Sequence, residues 1–336
     1  MPSQPPSKRP TLKDIATAVG VSITTVSYVL NDTGTVTPEV RKRVRAAAAK
    51  LGYRTNQTAK ATRTGRTNTI GLILPDLTNP FFAQLTQPIQ ARAHQAGYGV
   101  LLFDSHGDVE WERRGAADLL ARGADGIIWC PVGETDTLAD LRGAAPVVVI
   151  DRPLPGYDSV AADSFSGGAQ MADHLLAHGH QVVGLVSGPL SLASARARRE
   201  GFCSRFLPRG RIAWETENPF SIELSATAAG AIDTQSCSVI VCGNDLIAFG
   251  VIRHLHERGV HVSGDISVVG FDDIMWSSFA TPGLTTVRQP FAALGGEALD
   301  LLMRRINGDA GPRVGLSLAM SITERNSLRA LASADI

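Results

Sequence analysis

The stretch Thr11–Asn31, TLKDIATAVGVSITTVSYVLN, holds two short helical patterns joined at Gly20. Ile15, Ala16 and Val19 recur at helical spacing, and Val21, Val26, Val29 and Leu30 continue an apolar face on a second helix. Gly20 supplies the left-handed residue that so tight a turn requires. Thr11 with Asp14 three residues on reads as a capping box, and Ser22 as the cap of the second helix, so both starts are signalled independently of the hydrophobic pattern. After a turn-rich segment from Asn31 to Val36, Thr37 is expected to cap and Pro38 to open a third helix that Gly52 ends. Its Val40, Val44, Ala47, Ala48 and Leu51 would face inward.

A small three-helix bundle with no nucleic-acid role would share this pattern, and charge separates the two readings. Residues 1–66 contain 12 Lys and Arg against 3 Asp and Glu, and the remainder 20 against 29, so the zero net charge of the 336-residue chain conceals a basic head on an acidic body. A basic head releases counterions from phosphate, whereas the acidic body would be repelled from the same surface. Arg41, Lys42, Arg43, Arg45 and Lys50 on the third helix are candidate phosphate contacts, which position a head without reading sequence. The expected backbone set is Ser22, Thr25, Ser27, Asn31 and Arg41. Base edges would be read by Ile23 and Thr24, at the start of the second helix, and by Tyr28 one turn on.

The other residues argue largely by exclusion. No apolar run approaches the ~18 residues of a membrane span, and Met1–Pro10 has no secretory core, so a cytoplasmic protein is expected. Cys130, Cys203, Cys237 and Cys242 lack metal or redox spacing and read as buried thiols. His174 and His178 stand four apart with His180 beyond, but no Glu follows His174 as a metallohydrolase would need, so no metal is expected. No G-x-S-x-G, P-loop or dinucleotide fingerprint is present, which argues against an enzyme and gives no cofactor.

From Thr69 the pattern changes to short apolar runs alternating with helical periodicity. Ile70–Leu74, Val100–Phe103, Gly126–Cys130 and Val147–Ile150 are continuously apolar, which suits strands buried on both faces of a parallel sheet; Phe81–Ala96 and Trp111–Ala121 are the helices between them. A second series has strands at Gln181–Ser187, Ser238–Cys242 and Ser267–Gly270, with helices at Gly167–His178, Ile222–Ile232 and Asp245–Arg258. Two such lobes in tandem imply a cleft, with ligand at the carboxyl ends of the strands. Pro75-Asp76, Asp104, Trp129, Asp151-Arg152, Asp245 and Asp272-Asp273 fall where apolar runs stop. Among them Asp76 and Asp245 read as helix caps. Leu284–Gln289, a helix from Leu294 to Ile306 and the run Val314–Ile322 would cross between the lobes, and three connections restrict motion to bending and twisting.

TLKDIATAVGVSITTVSYVLN, RVRAAAAKLGY, IGLILPDLTNPFFAQL, ADGIIWCP, VIDRP, HLLAHGH, GPLSLASARARREGF, GNDLIAFG and DISVVGFDD occur in this order. Together they resemble the lac repressor/galactose repressor family of bacterial transcription regulators, from Thr11 to about Leu328. The resemblance implies an all-α helix-turn-helix head and an α/β, periplasmic-binding-protein-like core of two doubly wound parallel-sheet lobes. It also implies operator DNA, bound by a homodimer or tetramer, and a small effector as partners. The resulting plan is a disordered tail at 1–10, the head at 11–55 and a hinge at 56–68. The first lobe takes 69–161 with 291–320, and the second takes 162–290 with 321–330. In the family the hinge folds on DNA and wedges a leucine into the minor groove. The hinge residues here would be Asn56, Ala59, Lys60 and Thr62, with threonine at the wedge position and Thr55 in place of a common proline. Pro88 stands where the family usually has glycine and is expected to kink or shorten its helix.

By the same resemblance, Arg198 forks onto ligand oxygens, Asp151, Asn244 and Asp272 meet sugar hydroxyls, and Gln289 lies at a lobe crossing. Phe81, Phe82 and Phe220 are ring positions, Ser194 joins the pocket, and Trp129 would make one side of it more apolar. The stretch GPLSLASARARREGF points to a sugar or glycoside, with a purine or other small metabolite as the alternative. A binding protein without regulatory coupling and a sugar-processing enzyme are the competing classes. The sign of control, induction or corepression, is left open, as is the edge of the second lobe around Leu207–Glu217.

Overall fold

A computed structural model describes residues 10–53, 65–234 and 236–331. Its contacts divide into two units at Thr67/Asn68. The hinge residues Asn56, Ala59, Lys60 and Thr62, Thr55, and all of the 1–10 tail except Pro10 lie outside the described residues.

In the head, α1 (Leu12–Val19), α2 (Ile23–Leu30) and α3 (Pro38–Lys50) enclose Ile15, Ala16, Val19, Val26, Val29, Val44 and Ala48. The Thr11–Asp14 capping box forms in both directions, and Gly20 ends α1 at φ 72°, where a Cβ would be strained. Ser22 Oγ accepts from Thr25 N at 3.0 Å and caps α2. Two expectations fail. Thr37 occupies the N-cap position of α3, but its hydroxyl makes no capping hydrogen bond, and Leu51, already beyond the last helical turn, is exposed rather than inward.

The core unit forms two six-stranded sheets among the described residues. The first lobe runs in the order β11 (Gly315–Leu318), β5 (Asp158–Ala162), β4 (Val147–Ile150), β3 (Gly126–Trp129), β1 (Thr69–Leu74), β2 (Gly99–Asp104), all parallel. The second runs β12 (Ser321–Thr323), β10 (Thr285–Arg288), β9 (Ser267–Asp272), β8 (Val239–Cys242), β6 (Val182–Ser187), β7 (Arg211–Glu217), parallel except for the β10–β12 pair. The continuously apolar runs β3, β4 and β8 are buried along their full length, as strands covered on both faces must be. Helices α4 (Pro80–Gln95), α5 (Val109–Ala121) and α10 (Phe291–Ile306) belong to the first lobe; α6 (Ser164–Ala177), α7 (Ala193–Phe206), α8 (Ala226–Ile232) and α9 (Asp245–Glu257) belong to the second. The backbone passes between lobes after Ala162, after Arg288 and after Leu318. The run Val314–Ile322 is therefore two short strands in different sheets, not one. Strands β5 and β7 had no clear sequence signal, because β5 opens on Asp158 and β7 is a half-polar edge.

Helix α4 continues through Pro88, contrary to the expected shortening. Gly295 of α10 leaves a notch there: a Cβ on it would lie 2.8 Å from Pro88 Cγ. Burial of Phe81, Phe82, Leu85 and Ile89 holds the helix in place despite the lost backbone bond.

The start of β5 is fastened by a buried carboxylate. Asp158, fully buried, accepts from Arg305 Nε and Nη2, both at 2.8 Å, from Arg313 Nη1 at 3.0 Å and from Val314 N at 2.8 Å, joining β5, α10 and β11. Burial alone would raise its pKa, but these donors, Arg305 foremost, hold it at about 2. The ion pair thus stabilises the fold above the ordinary aspartate range and is lost as pH falls toward 2. Asp158→Ala, which removes the carboxylate from Arg305 while leaving its bonds to the Asp309, Gly311 and Pro312 carbonyls, is expected to cost roughly 3 kcal/mol, read as a lowered urea midpoint with unchanged m-value.

Candidate functional site

The head presents the first turn of α2. Ile23 and Tyr28 are exposed at 47% and 45%, and Thr24 is exposed beside them. The Tyr28 ring lies against Gly34, where any Cβ would collide with it. The flanking polar groups are braced: Ser22 and Thr25 hydroxyls pair at 2.8 Å, and Asn31 Nδ2 donates to the Ser27 carbonyl at 2.8 Å and hydroxyl at 3.2 Å. Arg41 and Arg45 both hold Asp32, at 2.5 and 2.7 Å, in exposed pairs that exchange cheaply. Arg43 differs from the phosphate role read for it, because it donates to the Val19 carbonyl at 2.5 Å and closes the end of α1.

The core has a cavity of about 430 Å³ between the lobes. It is lined by Phe81, Phe82, Asp151, Ser194, Arg198, Phe220, Asn244 and Asp272, all expected from sequence. Asn79, His106, Val132 and Leu192 also line it and were not anticipated. Of these Asn79 had a usable signal, the Asn-Pro step that opens α4: its Oδ1 accepts from Phe81 N at 3.0 Å. His106 had none, since it reaches the cavity through a left-handed turn (φ 49°) after β2.

Arg198 organises one wall. Its Nη1 donates to the Gly243 carbonyl at 2.8 Å, its Nη2 to Asp272 Oδ1 at 2.9 Å, and its Cζ lies 4.0 Å from the centroid of Phe271. α6 can approach α7 here because residue 168 is glycine; a Cβ would fall 2.1 Å from the Arg198 carbonyl. Asp272 and Asp151 have φ of 113° and 70°, backbone strain concentrated at two strand ends facing the cavity. Asn244 Oδ1 caps α9 through Ile247 N, so the capping oxygen is already engaged.

Two expected residues are not in the lining. Trp129 is fully buried on the opposite face of the first sheet, packed with Leu119, Val147 and Val149 and edge-on to Tyr157 at 5.7 Å, so it cannot make the pocket more apolar. Gln289 sits behind Asp272, donating to its Oδ1 at 3.0 Å, and so orients that carboxylate. Asp245 is not a cap either. It is buried and accepts from Ile274 N at 2.9 Å, Ser277 Oγ at 2.7 Å and Thr286 Oγ1 at 2.6 Å, fastening α9 to β10 and to the segment that precedes it. Asp76 likewise bonds Thr78 in a local turn, while Asn79 caps the helix.

A basic head with an exposed α2 face and a two-lobed core with an arginine in its cleft have counterparts in known proteins. Residues 11–56 match the model for bacterial regulatory proteins of the lacI family, and residues 67–324 match the one for periplasmic binding proteins and the sugar binding domain of the LacI family. The chain belongs to the LacI family. Over 329 residues it is 32% identical to the HTH-type transcriptional repressor PurR of Pasteurella multocida (strain Pm70), covering 95% of this chain and 98% of the relative. The lac repressor dimer bound to operator and the anti-inducer ONPF superposes with a TM-score of 0.83 at 30% identity, over 96% of this chain and 100% of that one. The complex of the transcriptional regulator CelR with cellobiose gives 0.69 at 26% identity, over 95% and 100%. This LacI-family chain is a transcriptional regulator with an effector-binding core, not an enzyme. No helix among the described residues is long and apolar enough to cross a membrane.

Burial dominates the electrostatics of the cavity wall. It raises Asp272 to about 6, with the Asp151 charge adding to the rise and Arg198 and Gln289 opposing it. Burial likewise raises Asp245 to about 7, with Asp272 adding and the Thr286, Ser277 and Ile274 donors opposing. Both carboxyls hold protons more tightly folded than unfolded, so their stabilising contribution is complete below the ordinary value of 3.8 and disappears as pH rises through about 6 and about 7. Asp245→Asn should remove much of that slope. Unfolding free energies of wild type and variant measured from pH 4 to 8 are expected to diverge by on the order of 2 kcal/mol, with wild type losing more toward high pH.

Proposed function

We propose that this LacI-family chain is a repressor that binds a pseudo-palindromic operator as a homodimer and changes operator affinity when a sugar or glycoside occupies the interlobe cavity. The observation that carries the effector assignment is the Arg198–Asp272 pair. A guanidinium and a carboxylate at the same wall offer paired donors and acceptors to adjacent hydroxyls, and Asp151, Asn244 and Ser194 extend that polar set. Phe81, Phe82 and Phe220 supply apolar surface for a sugar ring face. CelR, whose core is similar, is complexed with cellobiose, which supports the class. The three rings also favour a second reading, a purine stacked among them, and PurR is among the relatives.

On DNA, Ile23, Thr24 and Tyr28 would meet base edges and thymine methyls in the major groove, while Ser22, Thr25, Ser27, Asn31 and Arg41 would contact the backbone, Arg41 by leaving Asp32. Dimerisation is supported by exposed apolar side chains in the core: Leu101, Leu102, Val109 and Trp111 at the β2 edge, and Met275, Trp276 and Phe279 in the segment held by Asp245. The lac repressor solved with operator is a dimer. Asn56, Ala59, Lys60 and Thr62 are proposed for the minor groove from sequence alone. The setting is cytoplasmic. Lobe closure around an effector, restricted by three crossings, would reset the spacing of the two heads.

A thermal-shift panel of sugars, glycosides and purines on the full chain tests the effector class: at ~100 times its dissociation constant a true effector adds ~2.7 kcal/mol. Arg198→Ala and Asp272→Ala should abolish the shift; a purine hit would replace the sugar reading. On an operator fragment, Tyr28→Ala is expected to weaken binding by ~1–3 kcal/mol with an unchanged salt slope. Arg41→Ala should instead reduce the slope by about 0.9 per protomer.

A further inference from the structure

His174 and His178 lie four residues apart at the C-terminal end of α6, and so share one helix face. Glu324, directly after β12, reaches both. His174 Nε2 is 3.2 Å from one carboxylate oxygen and His178 Nε2 is 3.5 Å from the other. The three donor atoms fall within 4.8 Å of one another, and the imidazole centroids are 4.4 Å apart.

The hydrogen bonding defines what this cluster can hold. His178 Nδ1 lies 2.9 Å from the His174 carbonyl oxygen, so it donates its N–H there and leaves the Nε2 lone pair directed at the carboxylate. A backbone carbonyl fixing the remote nitrogen in this way is the usual arrangement behind a metal-bound histidine. His174 Nε2 is buried and lacks a hydrogen-bond partner among the described residues. The His178 Nε2 lone pair and the Glu324 carboxylate face each other without a proton fixed between them, and His174 Nε2 stands beside both, so the three atoms are spaced to share one cation.

We infer that His174, His178 and Glu324 form a binding site for a divalent transition metal, with Zn²⁺ the best match to two imidazoles and one carboxylate. Both histidine side chains are about one-fifth exposed and Glu324 is 55% exposed, so an ion can enter and complete its shell with water. The site is separate from the effector cavity, which none of the three residues lines. Its consequence is mechanical: the metal would clamp the chain just beyond the last lobe crossing onto the helix that follows the first, both within the second lobe.

The test uses the untagged, chelator-treated full chain and Zn²⁺ alone. Calorimetric titration should give one site per chain, and saturation should raise the melting temperature by about 2–4 °C. His178→Ala and Glu324→Gln, each checked for a native circular dichroism spectrum, should each weaken Zn²⁺ binding at least tenfold, whereas Arg198→Ala should leave it unchanged. Glu324 is mostly exposed, so its substitution does not threaten folding. Absence of Zn²⁺ binding, or equal binding by wild type and both site variants, overturns the proposal. So does a histidine-dependent change in stability between pH 5.5 and 7 without any Zn²⁺ response, which would make the cluster a proton-mediated ion pair.

Discussion

The core depends on buried carboxylates fastened at strand ends. In parallel sheets covered by helices on both faces, the strand interiors must be apolar, and polar groups are confined to the ends where the backbone leaves the sheet. Asp272 ends β9 and holds Arg198, while Asp245, just beyond β8, fastens α9 to the segment preceding β10. Asp158 does the corresponding work at the opposite end of the first lobe, where β5 begins. Each is desolvated and hydrogen-bonded, but only at Asp158 do the donors outweigh burial and hold the charge; at Asp272 and Asp245 burial wins and the proton is held more tightly. The cavity is therefore a consequence of how the sheets terminate, and its polar wall is also a structural fastening. Asp272 both faces the cavity and holds Arg198 and Gln289, so the cavity wall and the packing of the second lobe meet at one residue.

Much of the head was legible because its signals are local. Apolar spacing, the Thr11–Asp14 box, the Ser22 cap and Gly20 all act within a few residues, and the structure forms each of them. The errors there are also local in origin. Thr37 has the right residue type for a cap but its hydroxyl does not engage, and Leu51 follows the helical period one position past the end of the helix. Arg43 could not be told from its neighbours by charge alone, since its partner is a carbonyl on another helix.

In the core, strand positions were readable from apolar runs, but the face each side chain takes was not. A strand buried on both sides has no alternation to reveal which residues look toward a ligand, so Trp129, at the end of β3, was assigned to the cavity although it packs on the opposite side. Strands β5 and β7 escaped because an edge or a polar start breaks the apolar run. Pro88 misled because its cost was judged from the helix alone, while the notch at Gly295 belongs to α10. The histidine pair on α6 was dismissed for want of a nearby acid, and Glu324 arrives from the last part of the chain.

The sequence by itself determined the helix-turn-helix, the segregation of basic head from acidic body, the repeated βα grammar and most of the ring and carboxylate residues around the cleft. The first three follow from short-range periodicity, capping and charge, which act between residues close in the chain, whereas the cleft residues were implied by the family resemblance, with Asp151 and Asp272 also marked by the ends of apolar runs. Only the tertiary structure decided that Gln289 stands behind Asp272, that Asp245 is a fastening rather than a cap, that Trp129 is core, and that Glu324 meets His174 and His178. Those are contacts between distant segments, fixed by how two sheets and their helices close on one another, and no local rule encodes them.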